Sequence, residues 1–192
     1  TVRMMTKTIS EQQVEQAALG WFEALGFETA RGVDISPGAD SPLRDSHEQV
    51  VLEPRLRSAL RTINRQLPDE AIEQAVRAVM RPPEPTLEQN NRWFHHLLTD
   101  GVDVEYRTPE GETRGDKVNF TRPAANDRLV VQQLTVRCGN ATRRPDLVVF
   151  LNGLPLVVVE LKDPANEQAD LWMAYRQLQD YKATIPPLFT YS

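Results

Sequence analysis

The stretch that decides the fold is residues 143–162, which read RRPDLVVFLNGLPLVVVELK. Two apolar runs rich in β-branched residues flank Asn152-Gly153, a dipeptide that strongly favours a β-hairpin turn. Asp146 precedes the first run, and Glu160 and Lys162 end the second. The stretch therefore predicts a buried hairpin with acidic and basic side chains at its open end.

Glu160 and Lys162 are separated by one residue, so both side chains point to the same side of their strand, while Val159 and Leu161 point into the core. Hydrolysis of a phosphodiester needs an activated water and compensation of the charge that develops on the phosphate. Two carboxylates can hold one or two Mg²⁺ ions, and a neighbouring lysine can orient the water. Asp146, Glu160 and Lys162 thus form a candidate catalytic site.

The register of the hairpin decides whether the two carboxylates can act together. A strict two-residue turn pairs Leu151 with Leu154, and continuing that register places Asp146 and Glu160 on opposite faces of the sheet. The two could not then share a metal ion. We therefore predict a bulge or an odd-length loop, with Gly153 in a left-handed conformation, that shifts the register by one residue.

The Pro145-Asp146 and Glu160-Leu161-Lys162 segments resemble the PD-(D/E)xK nuclease superfamily. The longer run from residue 143, together with residues 174–181 (AYRQLQDY), resembles the N-terminal nuclease domain of the R subunit of type I restriction–modification enzymes. The resemblance implies an α/β (α+β) fold with a PD-(D/E)xK restriction-endonuclease-like core. In such a fold a mixed β-sheet is flanked by helices, here with extra helices at the N-terminal side. It also implies Mg²⁺-dependent cleavage of double-stranded DNA.

The resemblance assigns further residues to the site. Gln177 and Tyr181 match a Gln-x-x-x-Tyr signature, and a spacing of four places both on one helix face. Family members often place a glutamate of the first helix close to the metal, for which Glu15 is the best match and Glu11 the second. The carbonyl of Leu161 would join Asp146, Glu160 and Glu15 as a metal ligand.

Arg143 and Arg144 have two possible roles, which the sequence leaves open: they solvate a loop or they contact DNA phosphate. His95-His96 is expected at the surface or in packing, because adjacent helical residues face different ways. Cys138 is expected to be a strand residue and not a nucleophile. A run of basic residues at roughly helical spacing is interpreted as a solvated helix face rather than a DNA track: Arg55, Arg57, Arg61 and Arg65.

The resemblance also implies partners. In the family an ATP-driven DNA translocase follows the nuclease in the same chain, and separate subunits provide DNA specificity and methylation. No Gly-x-x-x-x-Gly-Lys-Ser/Thr loop occurs here, so ATP is expected only in the full-length protein. One alternative is a catalytically inactive PD-(D/E)xK-like module for DNA binding or assembly. Another is a related nuclease of a DNA-repair or mobile-element system.

Composition is compatible with these interpretations. The chain has 192 residues, a net charge of -5 and a single cysteine, Cys138, which favours a reducing, cytoplasmic setting. The negative charge argues mildly against DNA binding, but a metal site must concentrate carboxylates. No apolar run approaches the roughly 18 residues that a membrane span requires, so no membrane partner is expected.

Periodicity and capping signals predict the remaining elements. Helices are expected over residues 10–25, 47–66, 68–80, 86–99 and 167–183. Strands are expected over residues 102–107, 117–120, 129–138, 146–151, 154–162 and 188–191. The chain ends within the last of these strands, so we expect a fragment of a longer protein. We expect three tryptophans to be core anchors: Trp21, Trp93 and Trp172.

The predicted organisation is a single endonuclease domain over residues 1–192. A mainly helical insertion is expected at residues 43–100, and the sheet and catalytic core at residues 101–192.

Overall fold

The structure is a computed structural model, and it describes residues 10–162 and 171–192. The helices are α1 (Glu11–Ala24), α2 (Glu53–Ile63), α3 (Asp69–Val79), α4 (Leu87–Asp100), α5 (Leu171–Thr184) and α6 (Pro186–Phe189). The strands are β1 (Glu28–Arg31), β2 (Val102–Arg107), β3 (Thr113–Val118), β4 (Arg128–Gln132), β5 (Val136–Cys138), β6 (Ala141–Arg143), β7 (Leu147–Leu151) and β8 (Leu154–Val159). The fold is the predicted mixture of helices around a mixed sheet.

The main sheet has four strands in the order β1-β4-β7-β8. β1 runs parallel to β4, whereas β4, β7 and β8 are antiparallel neighbours. Two hairpins lie outside this sheet, β2–β3 and β5–β6. The mixed sheet brings the ends of β4 and β8 and the start of β7 together at one edge.

The central strands are apolar on both faces, as expected of strands that are covered on both sides. Along β4 and β7, successive residues contribute to opposite faces. One face packs against Ala18 and Leu19 of α1 through Val130, Leu147 and Val149. The other face joins the larger core, which includes residues of α2, α3, α4 and α6 and the β4 and β7 residues Leu129, Val131, Val148 and Phe150. The sheet is therefore the middle layer between α1 and the other helices.

Helix α1 begins as predicted, with a capping box between Ser10 and Gln13. Its buried face differs from the predicted one. Ala18 and Leu19 face the sheet, whereas Trp21 is 72% exposed. The prediction of Trp21 as a core anchor was wrong, because α1 turns Ala18 and Leu19, and not Trp21, toward the sheet. Glu15 lies one turn before Ala18 and Leu19 and is partly buried on the same face.

Helix α2 begins at Glu53, six residues later than the predicted start at 47. Pro54 explains the difference, because proline is tolerated in the first turn of a helix, whereas in a helix that began at residue 47 it would lack a backbone N–H and its ring would clash with the carbonyl of Val50. The buried residues 50–52 precede the helix in non-helical conformations. Helices α3 and α4 agree with the prediction within a residue or so, and Thr86 caps α4.

The predicted strand over residues 129–138 is two strands, β4 and β5, because Gln133 has a left-handed backbone with φ of 56°. The predicted strand 154–162 ends as β8 at Val159. Beyond it, the Leu161 amide donates to the side chain of Asp146 and not to a backbone carbonyl of β7. Strand β1 was not predicted, since its sequence ETAR lacks an apolar alternation.

The predicted strand 188–191 was wrong. Pro186 and Pro187 occupy the first turn of α6, where a missing N–H costs nothing, and the following residues make helical or turn hydrogen bonds. Helix α5 ends at Thr184, and its predicted first residues, 167–170, lie outside the described residues. Trp172 is 68% exposed and is not a core anchor, while Trp93 packs partly buried against the main core. In the described part of the chain, no helix combines the length and apolar character of a membrane span.

Candidate active site

The β7–β8 hairpin contains the predicted register shift, but at a different position. Asn152 and Gly153 form a two-residue turn in which both φ angles are positive, so Leu151 pairs with Leu154. The shift follows between Val149 and Phe150, where Val149 pairs with Val157. The bulge is therefore confirmed and Gly153 is left-handed. The extra residue, however, lies within β8 rather than in the turn.

The shift places the two carboxylates opposite each other. After the bulge Leu147 pairs with Val159, and one further residue in the same register brings Asp146 opposite Glu160. Oδ2 of Asp146 accepts the Leu161 backbone N–H at 2.7 Å, which holds the two strand ends together. Directly opposed residues share a face of the sheet. Asp146 and Glu160 therefore meet at the edge where β7 begins and β8 ends.

Lys162 joins this pair to helix α5. Its Nζ lies 3.2 Å from Oε1 of Glu160 and donates to Oε1 of Gln177 at 2.7 Å. Nε2 of Gln177 in turn donates to the Tyr181 hydroxyl at 2.6 Å. Burial raises the pKa of Tyr181 to about 12, so its hydroxyl is protonated at neutral pH. The predicted helix-face pair thus lies against the predicted lysine.

The carboxylate of Glu160 is enclosed by the site. Its side chain is 3% exposed, and its Oε2 atom is buried without a hydrogen-bond partner in the described structure. Burial raises the pKa of Glu160 and the charge of Asp146 raises it further, whereas Lys162 and, to a smaller extent, the Tyr181 hydroxyl lower it. A buried carboxylate with an unpaired oxygen beside a second carboxylate leaves negative charge that a cation would compensate.

Glu15 reaches the site through a residue that the sequence analysis did not single out. Nε2 of Gln133 donates to Oε1 of Glu15 at 3.1 Å and to Oδ1 of Asp146 at 3.3 Å. The structure therefore brings Glu15 to the carboxylate pair, and the side-chain amide of Gln133 links it to Asp146. No motif marks Gln133, and its importance follows only from where the chain places it.

The donor set suits a hard divalent cation. Carboxylate and carbonyl oxygens are the ligands that Mg²⁺ prefers, and the orphaned Oε2 of Glu160 supplies one such atom. The described residues include no group of three or more His, Cys, Asp or Glu side chains arranged to hold a metal. Two opposed carboxylates, Asp146 and Glu160, suit Mg²⁺, which usually binds through one or two carboxylates and keeps several of its waters. Glu15 accepts a hydrogen bond from Gln133.

The two arginines next to the site differ in their surroundings. Nε of Arg143 donates to Oδ2 of Asp180 at 2.8 Å, an ion pair that ties β6 to α5. Arg144 is exposed and forms no ion pair with any described residue. Arg144 is thus the arginine of this pair whose guanidinium is available to a phosphate.

Three arginines of the basic run lie on α2 and form a network of ion pairs, whereas Arg65 lies beyond the end of α2 and is exposed. Arg55 pairs with Asp127 and Glu28, which ties the start of α2 to the sheet. Arg57 and Arg61 pair with acidic residues of α2 and α3: Glu53, Asp69 and Glu73. These arginines link helices to one another and to the sheet. His95 and His96 are exposed on α4, as expected for surface residues.

Comparison with known proteins identifies a matching family and related proteins. A sequence model of the family described as "Type I restriction enzyme R protein N terminus" matches residues 8–192. The chain is 37% identical to the type I restriction enzyme HindI endonuclease subunit of Haemophilus influenzae, over 96% of its own length and 18% of the relative. It is 30% identical to the putative type I restriction enzyme MjaIXP endonuclease subunit of Methanocaldococcus jannaschii, over 93% of its length and 17% of the relative.

The chain thus spans less than a fifth of the length of these curated relatives. Almost the whole of it aligns with both. The family match covers the described structure from α1 to its last residue. The chain belongs to the family of N-terminal domains of type I restriction enzyme R proteins.

Proposed function

We propose that this domain is a Mg²⁺-dependent endonuclease that hydrolyses phosphodiester bonds of double-stranded DNA. In the complete protein it would be coupled to ATP-driven DNA translocation and would assemble with methyltransferase and specificity subunits. The observation that carries the proposal is the buried Glu160 carboxylate, whose Oε2 is unpaired and which lies opposite Asp146. The names of the relatives, which are endonuclease subunits, support the same reaction class.

Asp146, Glu160 and the Leu161 carbonyl would hold the ion. When bound, Mg²⁺ would supply charge for the phosphate and a more acidic water. Lys162 has three N–H donors, and Glu160 and Gln177 take two of them within the described structure. The third can donate to an attacking water or to a phosphate oxygen. Gln177 and Tyr181 keep the lysine ammonium pointed into the site.

Arg144 is the arginine that we assign to DNA phosphate, since its guanidinium is exposed. Arg143 is assigned to orienting α5 through Asp180. A restriction enzyme meets its DNA inside the cell, so the proposal includes a cytoplasmic setting in which Cys138 stays reduced.

The test uses the complete R subunit assembled with its partner subunits on supercoiled DNA. We expect Asp146→Ala and Lys162→Ala each to reduce cleavage below detection while ATP hydrolysis continues, because the motor lies in another part of the protein. Lys182→Ala is the matched control, since it removes an exposed cation from α5 without touching the site. A folded Lys162→Ala protein that cleaves at the wild-type rate would refute the assignment.

A second experiment separates the nuclease from an inactive DNA-binding or assembly module. Crystals soaked with Mn²⁺ are expected to show a metal ion between Asp146 and Glu160. An empty site at high Mn²⁺, together with intact DNA after assembly, would favour the binding module.

A further inference from the structure

Gln133 has a backbone conformation that glutamine rarely adopts. In the described residues only Gln133 and Asn152 combine a side chain with positive φ, at 56° and 55°. Asn152 belongs to a turn type that requires such angles and favours asparagine. Gln133 lies between β4 and β5, where no hairpin turn imposes a positive φ. Left-handed non-glycine residues cost free energy and persist only where the surroundings enforce them.

The neighbouring backbone enforces this conformation. The Gln133 N–H donates to the carbonyl of Asp146 at 2.8 Å, and the Gly32 N–H donates to the carbonyl of Gln132 at 2.7 Å. A Cβ atom on Gly32 would overlap the backbone carbonyl of Gln133. The end of β1 therefore leaves room for the backbone of Gln133, and the start of β7 anchors it.

This conformation directs the Gln133 side chain between two carboxylates. Its NH₂ group has two hydrogens, and the group lies within hydrogen-bond distance of Glu15 on α1 and of Asp146 at the start of β7. The second oxygen of Asp146 accepts the Leu161 N–H. Both oxygens of Asp146 are thus oriented, one by Gln133 and the other by the chain that carries Glu160 and Lys162.

We propose that Gln133 is a positioning residue of the nuclease site, whose amide fixes Asp146 and couples it to Glu15. Glu15 then acts through Gln133 and not as a direct metal ligand. The inference rests on the proposed function, because the role of Gln133 is to hold a carboxylate for the same reaction. Groups that orient metal ligands affect metal affinity and activity in the manner of the ligands themselves.

The experiment compares Gln133→Gly and Gln133→Asn in the complete R subunit with its partners. Glycine and asparagine both accept a left-handed backbone. Glycine has no side-chain amide, and the side chain of asparagine is one methylene shorter than that of glutamine. We expect both to cleave DNA about 10- to 100-fold more slowly than the wild type, in line with losses of ligand-orienting groups. Gln132→Ala is the control, since that side chain makes no hydrogen bond in the described structure and is expected to leave cleavage unchanged.

Hydrogen exchange of the metal-free full-length chain provides a readout that does not depend on activity. We expect Gln133→Gly to leave the amides of β4 and β7 protected and to accelerate exchange of the Leu161 amide, whose acceptor Asp146 loses its second support. Loss of protection throughout β4 and β7 would assign Gln133 a purely structural role and would overturn the inference.

Asp146→Ala separates this inference from the proposed function. If Asp146→Ala is inactive and Gln133→Gly cleaves like the wild type, the role of Gln133 is refuted and the nuclease assignment stands. If Asp146→Ala itself cleaves like the wild type, the proposed function fails. A double-mutant cycle with Glu15→Gln completes the test. The losses from Gln133→Gly and Glu15→Gln should not add, and full additivity would contradict the coupling.

Discussion

Burial of the Glu160 carboxylate is electrostatically unfavourable. The carboxylate is removed from water, it lies opposite Asp146, and only one of its oxygens has a partner among the described residues. Lys162 compensates one of the two charges. A site built in this way is less stable in its metal-free form than a neutral analogue would be, because unpaired buried charge is costly. The metal-free protein is thus destabilised at the place where a cation is expected to bind.

This reasoning predicts the pH dependence of the metal-free protein. The folded-state pKa of Glu160 is raised above its ordinary value of 4.5, so the folded state binds this proton more tightly than the unfolded state. The associated stability is fully present below the ordinary pKa and is lost as pH rises through the raised value. The side chain of the Glu160→Gln variant does not titrate. Its free energy of unfolding should therefore fall less than that of the wild type as the pH rises from acidic to neutral.

Denaturant unfolding in EDTA at a series of pH values measures the difference between Glu160→Gln and the wild type. The matched control is Glu48→Gln, which changes an exposed carboxylate for which no role in the site is proposed. If Glu160→Gln and the wild type lose stability in parallel as pH rises, the burial argument for Glu160 is wrong.

The hairpin β7–β8 is the element that assembles the site. Its turn sets one register and its bulge changes that register by one residue before the strands reach Asp146 and Glu160. The turn is also fixed from outside. The side chain of Asn152 is buried, where it donates to the Phe120 carbonyl and accepts the Asp127 N–H, and the Leu52 N–H donates to the Gly153 carbonyl at 2.9 Å. The turn therefore docks on the start of α2.

Gly153→Ala tests this docking. A Cβ at residue 153 would lie 2.5 Å from the Leu52 carbonyl oxygen and 2.6 Å from the Leu56 nitrogen, and φ is 77°. The left-handed backbone and the overlap together should lower the free energy of unfolding by about 3 kcal/mol. Gly139→Ala shares the positive φ but has open space around it, so it should lose only about 1 kcal/mol. Urea unfolding compares the two, and equal losses would show that the contact with α2 is unimportant.

At the scale of the whole molecule, residues 189–192 connect helices α3 and α4 to strand β8, where the Ser192 hydroxyl donates to the Pro155 carbonyl. The Tyr191 hydroxyl donates to the carbonyl of Val79 at the end of α3, and its ring contacts Phe94 of α4 edge to face at 4.9 Å. Nδ2 of Asn91 on α4 donates to backbone carbonyls of the same terminal segment. Residues far apart in sequence thus close one core.

Tyr191→Phe measures how much the hydrogen bond of the Tyr191 hydroxyl contributes to the stability of this core. Removal of the hydroxyl leaves the buried Val79 carbonyl without the Tyr191 donor, which should lower the free energy of unfolding by about 1 kcal/mol. Tyr175→Phe is the control, because that tyrosine is exposed on α5 and should leave stability unchanged. Thermal and urea unfolding of both variants report the difference. A Tyr191→Phe variant as stable as the wild type would mean that this carbonyl finds another partner.

Much of the fold follows from short-range signals. The caps of α1 and α4 and the two runs of the hairpin depend on residues within a few positions of one another, and these predictions were confirmed. The errors occur where distant parts of the chain override a local signal. Trp21 was expected in the core yet is exposed, and the pair Pro186-Pro187 opens a short helix instead of leading into a strand.

The sequence by itself determined that Asp146, Glu160 and Lys162 end a buried hairpin, and that a register shift is needed to unite them. These conclusions need only the alternation of side chains along a strand, which is a local property. Only the tertiary structure decided where the bulge lies, which face of α1 meets the sheet, and that Gln133 links Glu15 to Asp146. Gln133 and Glu15 are 118 positions apart. A hydrogen bond between such distant residues depends on the packing of a helix against a sheet, which no local pattern encodes.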